Sequence, residues 1–471
     1  MKGGPVLPGR VIVLDVGKTL AKLSLWDAQG RLLEQRARPN YRSLAAAGYR
    51  ALDTEGIEAW VADVLVEFAK LGPVAAIVPV GHGAAAAVIR DGRLACAVPD
   101  YEDKPPPAMR ARYDQDRDAF ALTGSPALPC GLNLGVQLHW LESQWPDLLS
   151  GDALILPWPQ FWAWKLSGVA VSEISSFGCH SDLWMPLAGR PSMLAQQRGW
   201  AARFAPLRHA RDVIGTLSAQ WSARTGLSSD VQILCGLHDS NAALLAARGH
   251  AEIAGHEATV VSTGTWFVAM RLPATAAKLE IASLPERRDC LMNLDVDAGL
   301  VPSARFMGGR ELEVLGGIGE TDQQAAALDA IPSLLARDVM ALPNWAPGVG
   351  PYPAHRGRWL VEPASASERC AAAGLYAALM TDVLLELIDA RECLLIEGRF
   401  AQCDVYVRAL ATMRPDCPVY VGGAHDGVAY GALRLLAASL QPVMSLQKAV
   451  PLPVDLAAYK TRWRASAERP Q

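Results

Sequence analysis

The chain has 471 residues, 51% of them hydrophobic and 20% charged, with 44 basic against 48 acidic side chains for a formal charge of −4. That length suits two domains of ordinary size, and the composition excludes global disorder. The near-balanced charge excludes the clustered basic excess of a nucleic-acid binder, so no nucleic-acid partner is expected.

The nine cysteines are odd in number and scattered, with no C-x-x-C pair. A disulfide framework or zinc site would cluster them, so a reducing compartment is expected. The opening segment MKGGPVLPGRVIVLDVG is not read as a signal peptide, because Asp15 interrupts its short apolar run. A cytoplasmic protein with no membrane partner is expected.

In chain order, Val11 to Leu14 is a β-branched apolar run, Gly17 follows, and Leu20 to Leu25 alternates loosely, which predicts an opening hairpin. Ile57, Trp60, Val61, Val64, Leu65 and Phe68 recur at helical spacing. Val74 to Val80 predicts a strand, and Asp91-Gly92 marks a second hairpin between Val88 and Leu94. Gln232 to Ala243 reads as a strand, a glycine turn and an alanine-rich helix opening at His238-Asp239. Ala258 to Ser262 is another apolar run, ending in Thr263-Gly264-Thr265 before Trp266 to Met270. The apolar stretch Cys370 to Ile388 contains Thr381, Asp382 and Glu386, which predicts a buried helix and not a membrane span. Alternating strands and helices favour an α/β architecture. Two strand–turn–strand units about half a chain apart predict two similar domains, with a boundary at 247/248.

Both turns suit phosphate. Glycine lets backbone N–H groups approach closely, and a threonine hydroxyl adds a donor. Asp15 on the first turn could hold Mg²⁺ through water, and Lys18 or Lys22 could neutralise phosphoryl charge. An ordinary glycine hairpin is the alternative for either turn alone. Gly17-Lys18-Thr19 is not a P-loop, since position 12 is isoleucine where that motif has glycine. The segment from Gly81 to Ala86 mimics a dinucleotide fingerprint, but a hairpin follows where a helix is required, so a nicotinamide oxidoreductase is the weakest reading. Asp239 at a helix start is either a stabilised N-terminal carboxylate or a base poised to take a hydroxyl proton.

At these residues the sequence resembles the FGGY carbohydrate kinases, over most of the chain. The motifs occur in family order: DVGKT (15–19), GLHDSNAA (236–243), STGTW (262–266), then late glycine and alanine segments. Within the family it is most similar to the rhamnulokinase-like branch, through VGHGAA (80–85), PDYED (99–103) and SSFGCHSDLW (175–184). The resemblance implies two actin-like (ribonuclease H-like) α/β domains facing a central cleft: an N-terminal sugar domain over 1–247 and a C-terminal nucleotide domain over 248–471. It implies ATP and Mg²⁺ as cofactors and a ketose as acceptor. L-rhamnulose, giving the 1-phosphate, comes first; L-fuculose and pentuloses stay open. Asp239 is implied as the catalytic base, and Asp15 with Asp239 as the Mg²⁺ ligands. Gly17, Lys18, Thr19, Lys22, Thr263, Gly264 and Thr265 are implied to face the ATP phosphates. His82, Gly83, Tyr101, Glu102 and His238 are implied for the sugar, together with Asp239. Family habit also makes a homodimer plausible.

Two departures stand out. The double glycine that many relatives carry near the adenosine is here Ile396-Glu397-Gly398-Arg399-Phe400, leaving Gly398 as the expected adenine-side contact. Where relatives often show Trp-x-Asp-x-Arg, this chain has Tyr101-Glu102-Asp103, which leaves sugar identity open. An actin-like ATPase driving partner binding and a silent sugar sensor are the readings from other classes.

Overall fold

The computed structural model describes residues 6–45, 48–273, 279–317, 321–422, 427–442 and 445–469. They form two compact units. The first runs to Gly249 and also contains Met292–Leu300 and the described part of 426–442; the second comprises the rest. The division lies two residues beyond the expected boundary at 247/248. The two returning segments belong to the first unit, which no single cut in the chain represents.

The first unit is built on β1 (Arg10–Val16), β2 (Leu20–Trp26), β3 (Leu32–Pro39), β4 (Val74–Gly81), β5 (Val213–Thr216), β6 (Gln232–Leu234) and β7 (Leu237–His238). Their order is β5–β6–β4–β1–β2–β3, with β7 also on β4. β1, β2 and β3 form an antiparallel meander, whereas β1, β6 and β7 all run parallel to β4. Central strands covered on both faces read as continuous apolar runs, as RVIVLDV does here. Ile12, Leu14 and Val16 face α1 (Thr54–Ala69) and α2 (Trp158–Ser167), packing with Val61, Leu65, Phe68, Trp158 and Phe161. Val11 and Val13 face the other way, toward Val78, Val80, Leu237, Ala429 and Leu433. The expected helix and both hairpins of this half are present.

The second unit repeats the plan with β8 (Ala258–Thr263), β9 (Phe267–Leu272), β10 (Leu300–Phe306), β11 (Cys393–Gly398) and β12 (Val419–Val421), ordered β10–β9–β8–β11–β12. Again the first three are antiparallel neighbours, and the last two run parallel to the first. The long apolar stretch is α4 (Ala366–Leu387). By length and composition it could cross a membrane, but 89% of its apolar window is buried in protein. Its Asp382, with a fully buried side chain, binds Arg464 at 2.6 Å, Lys460 at 2.7 Å and Arg414 at 3.1 Å.

Candidate active site

In open α/β sheets ligands bind outside the carboxyl ends of parallel strands. In the first unit those ends coincide: Val16 of β1 lies opposite Gly81 of β4, which lies opposite His238 of β7. Asp15, Gly81-His82-Gly83 and His238-Asp239 therefore share one rim. The turn before β7 requires Gly236 (φ +77°), since any Cβ there would overlap the Pro79 carbonyl. That turn delivers the chain into α3 (Asp239–Ala247), whose first residue is Asp239. Helix Gly427–Arg434 packs on α3 so closely that a Cβ at Gly431 would overlap the Ala242 carbonyl.

Asp239 accepts at Oδ1 from the Ser240 backbone N–H at 2.6 Å, with the Ser240 hydroxyl at 3.3 Å and Nε2 of His238 at 3.1 Å. Oδ2 has no hydrogen-bond partner among the described residues, and the side chain is 29% exposed. Burial works against its charge, but the His238 contact and the Ser240 amide hold the carboxyl below the usual range. Asp239 is ionised at neutral pH and has one open oxygen.

His82 is buried, and its Nδ1 has no hydrogen-bond partner among the described residues. Its ring stands edge-on to Tyr101 at 5.5 Å and lies 6.0 Å from Trp158. Burial pushes its pKa down to about 4 against the pull of Asp239, so the imidazole is neutral. An unpaired buried polar atom costs free energy, and this one is ready for a ligand hydroxyl. Trp158 donates its indole N–H to Val16 C=O at 3.1 Å, pinning the end of β1.

Cys179 and His238 complete the rim, with Sγ 3.7 Å from Nε2. Burial opposes ionisation of the thiol, but His180 and His238 bring it down to about 5. Burial likewise opposes a charge on His238, whereas Cys179 and Asp239 raise its pKa well above the imidazole range.

The first turn is closed by Gly17 N–H donating to Leu20 C=O at 3.1 Å, and Asn40 braces it through Gly17 C=O at 2.7 Å and Thr19 C=O at 2.9 Å. Asp15 is buried, with Lys22 Nζ 4.0 Å from its Oδ2; Thr19 is exposed. Lys18 is ion-paired with buried Asp100 and lies 4.7 Å over the Tyr101 ring. Asp100 also binds Arg42 at 2.9 Å. Glu102, expected as a sugar contact, is instead half-exposed and paired with Arg42. The buried carboxylate of that segment is Asp100, two residues earlier. Asp103 is occupied in accepting from the Arg50 backbone N–H at 2.6 Å.

In the second unit, Thr263 at the end of β8 lies opposite Gly398 of β11. Gly398 (φ +90°) is required because a Cβ would overlap the Thr263 carbonyl. The Thr263 hydroxyl is committed, donating to Glu397 C=O at 2.5 Å and accepting from Phe400 N–H at 3.1 Å. Thr263 thus joins the turn to the Gly398 segment, a use of its hydroxyl that the sequence did not indicate. Gly264 and exposed Thr265 form the open lip of the turn, closed by Gly264 N–H to Trp266 C=O at 3.0 Å.

Asp100, Trp158, Cys179 and Asn241 belong to the rim but were not singled out from the sequence. Asp100 and Cys179 lie inside quoted motifs; nothing local marks Trp158 among 14 tryptophans.

The repeated β-meander continued by parallel strands is the actin-like (ribonuclease H-like) plan, with a carboxylate at the strand ends of the first copy. A family profile described as "Carbohydrate kinase FGGY, C-terminal domain" matches residues 255–443. A carbohydrate kinase from Novosphingobium aromaticivorans is 53% identical, with 97% of this chain and 100% of that one covered, at a TM-score of 0.91. The chain belongs to the FGGY carbohydrate kinase family and is a sugar kinase. The fold likeness extends to a xylulose kinase from Rhodospirillum rubrum (18% identity, 97% of each chain, TM-score 0.74). It also reaches Plasmodium falciparum glycerol kinase with ADP (10% identity, 100% of this chain and 99% of that, TM-score 0.78). No curated protein gives a significant match.

Proposed function

We propose that the protein transfers the γ-phosphoryl group of ATP to a hydroxyl of a ketose, with Asp239 as the base. The observation that carries this reading is the pairing of an ionised carboxylate having one open oxygen with a neutral, unpartnered imidazole, His82, on the same strand-end rim. Oδ2 of Asp239 takes the proton of the attacking hydroxyl as the oxygen bonds to phosphorus. His82 and Tyr101 hold neighbouring hydroxyls. Phosphoryl transfer needs mostly alignment and charge neutralisation, so a weak, fixed carboxylate is an adequate base.

In the first unit the turn offers the Lys18 and Thr19 backbone N–H groups to phosphate, with Lys22 as a cation; in the second, the lip of the turn offers the Thr265 N–H. Lys18 acts through Asp100, with which it shares its charge. Gly398 sits on the adenosine side beside Thr263. Mg²⁺ suits the donor set: it prefers oxygen, retains water and needs only one or two carboxylates. Among the described residues no group of three His, Cys, Asp or Glu could cage a metal. Asp15 and Asp239 are the residues that would hold it, and when bound it would neutralise phosphate charge.

L-rhamnulose, giving L-rhamnulose 1-phosphate, is the first acceptor to test, on the motifs at 80–85, 99–103 and 175–184. L-fuculose and pentuloses follow; xylulose kinases among the structural neighbours add D-xylulose. The reaction belongs in the cytoplasm, where ATP and reduced thiols coexist. The test is ADP release with Mg-ATP across L-rhamnulose, L-fuculose, L-ribulose and D-xylulose. Strong release with one ketose is expected. Release indifferent to every sugar would favour an ATPase and sink the acceptor assignment.

A further inference from the structure

The two oxygens of Asp239 are treated unequally, and His238 is responsible. Its Nε2 lies 3.1 Å from Oδ1, the same oxygen that accepts from the Ser240 backbone. The imidazole is itself held on several sides. Nδ2 of buried Asn241 faces Nδ1 at 3.4 Å and donates to Leu294 C=O at 3.1 Å. Turning the amide oxygen toward the ring would forfeit the Leu294 bond, so the amide stays on the Nδ1 edge of the ring and Nε2–H is left to meet Oδ1. Sγ of Cys179 flanks the ring 3.7 Å from Nε2. A Cβ on Gly83 would come within 2.8 Å of both Nε2 and that sulfur, so only glycine lets the segment after β4 lie against the ring.

We propose that His238 is a positioning residue and not a sugar ligand: its Nε2–H pins Oδ1 of Asp239, so that Oδ2 alone is presented to the acceptor hydroxyl. Asn241 braces the Nδ1 edge, and Gly83 and Cys179 fix the plane of the ring. Gly83, expected to touch sugar, acts through this ring. The inference rests on Asp239 being the base. It adds how a carboxylate that could otherwise rotate about its Cβ–Cγ bond is aimed.

The test is steady-state kinetics of His238→Leu, His238→Gln and Asp239→Asn with the acceptor sugar and Mg-ATP. Misplacing a reacting group by small distances costs rate, not affinity. His238→Leu should therefore lower kcat by about 10- to 100-fold, with the sugar KM changed less than about threefold. His238→Gln, whose amide can still donate to Oδ1, should recover much of that kcat. A raised sugar KM at native kcat would show a sugar ligand and overturn the proposal. Equal loss in both His238 variants would show a packing role and overturn it too. Should His238→Leu fail to fold, Gly83→Ala, which presses the ring from the other side, should give the same fall in kcat at constant KM; a rise in KM alone would count against the proposal. Asp239→Asn separates the two levels. Near-native turnover there removes the base itself. Lost turnover there with native kcat in the His238 variants removes only the positioning role.

Discussion

His82 is a buried imidazole without a protein partner, and its environment makes its protonation a stability question as well as a binding one. Its folded pKa of about 4 lies below the unfolded value near 6.5. The folded state therefore binds fewer protons in that window. Stability is fully present above pH 6.5 and falls as pH drops toward 4, by up to about 3 kcal/mol from this group alone. Urea unfolding of wild type and His82→Gln between pH 4 and 7 checks this: the variant should lose less stability on acidification. Parallel curves would mean that His82 is not buried neutral. At this scale the sequence was partly legible. Asp239 and His82 could be read from motifs because each stands at a strand end beside a glycine. Asp100 could not, because its ion-pair partners, Lys18 and Arg42, reach it from segments far away in the chain. Glu102 two residues on had the same chemistry and the opposite exposure.

At the scale of elements, the aim of Asp239 depends on α3, which depends on Gly236 and Gly431. Helix Gly427–Arg434 meets α3 backbone to backbone, so Gly431→Ala forces the helices apart or strains them. Overpacking of this kind costs roughly 1–3 kcal/mol. The expected result is a lower unfolding midpoint together with a lower kcat, since the helix carrying the base moves. Thermal melts and kinetics on the same preparation would check it; unchanged stability would show that the contact relaxes freely. The strand–turn–strand units, α1 and α4 were legible because strand and helix periodicities are local. The return of 427–434 to the first unit was not, since its apolar face is matched by residues far earlier in the chain, on β1, β4 and α3. The hydroxyl of Thr263 misled for a similar reason: its partners, Glu397 at the end of β11 and Phe400 in the turn that follows, come much later in the chain.

At the scale of the whole molecule, one sheet plan is used twice, and each copy puts a glycine turn at the carboxyl end of its first strand. The second copy is stabilised by an ionic cluster inside its core. Asp382 on α4 faces two arginines and a lysine, two of them on helix Ala457–Ala467. Removing this buried anion strips Arg414 of its carboxylate partner and leaves Lys460 and Arg464 only the half-exposed Glu386, and breaking such buried pairs costs about 3–5 kcal/mol. Asp382→Ala should depress the calorimetric transition of the second unit; an unshifted transition would show that the cations reach solvent without cost. The composition also bore on the class of the protein. The near balance of 44 basic and 48 acidic side chains argued against a nucleic-acid partner and left the choice of ligand to the site.

The central claim is that Asp239 is the base, and the turnover of Asp239→Asn tests it most directly. The asparagine keeps size and can keep its place at the start of α3 but cannot take a proton. With the best acceptor sugar and Mg-ATP saturating, kcat should fall on the order of 10²–10⁴-fold while the sugar still binds. Near-native kcat with the sugar bound would contradict the account.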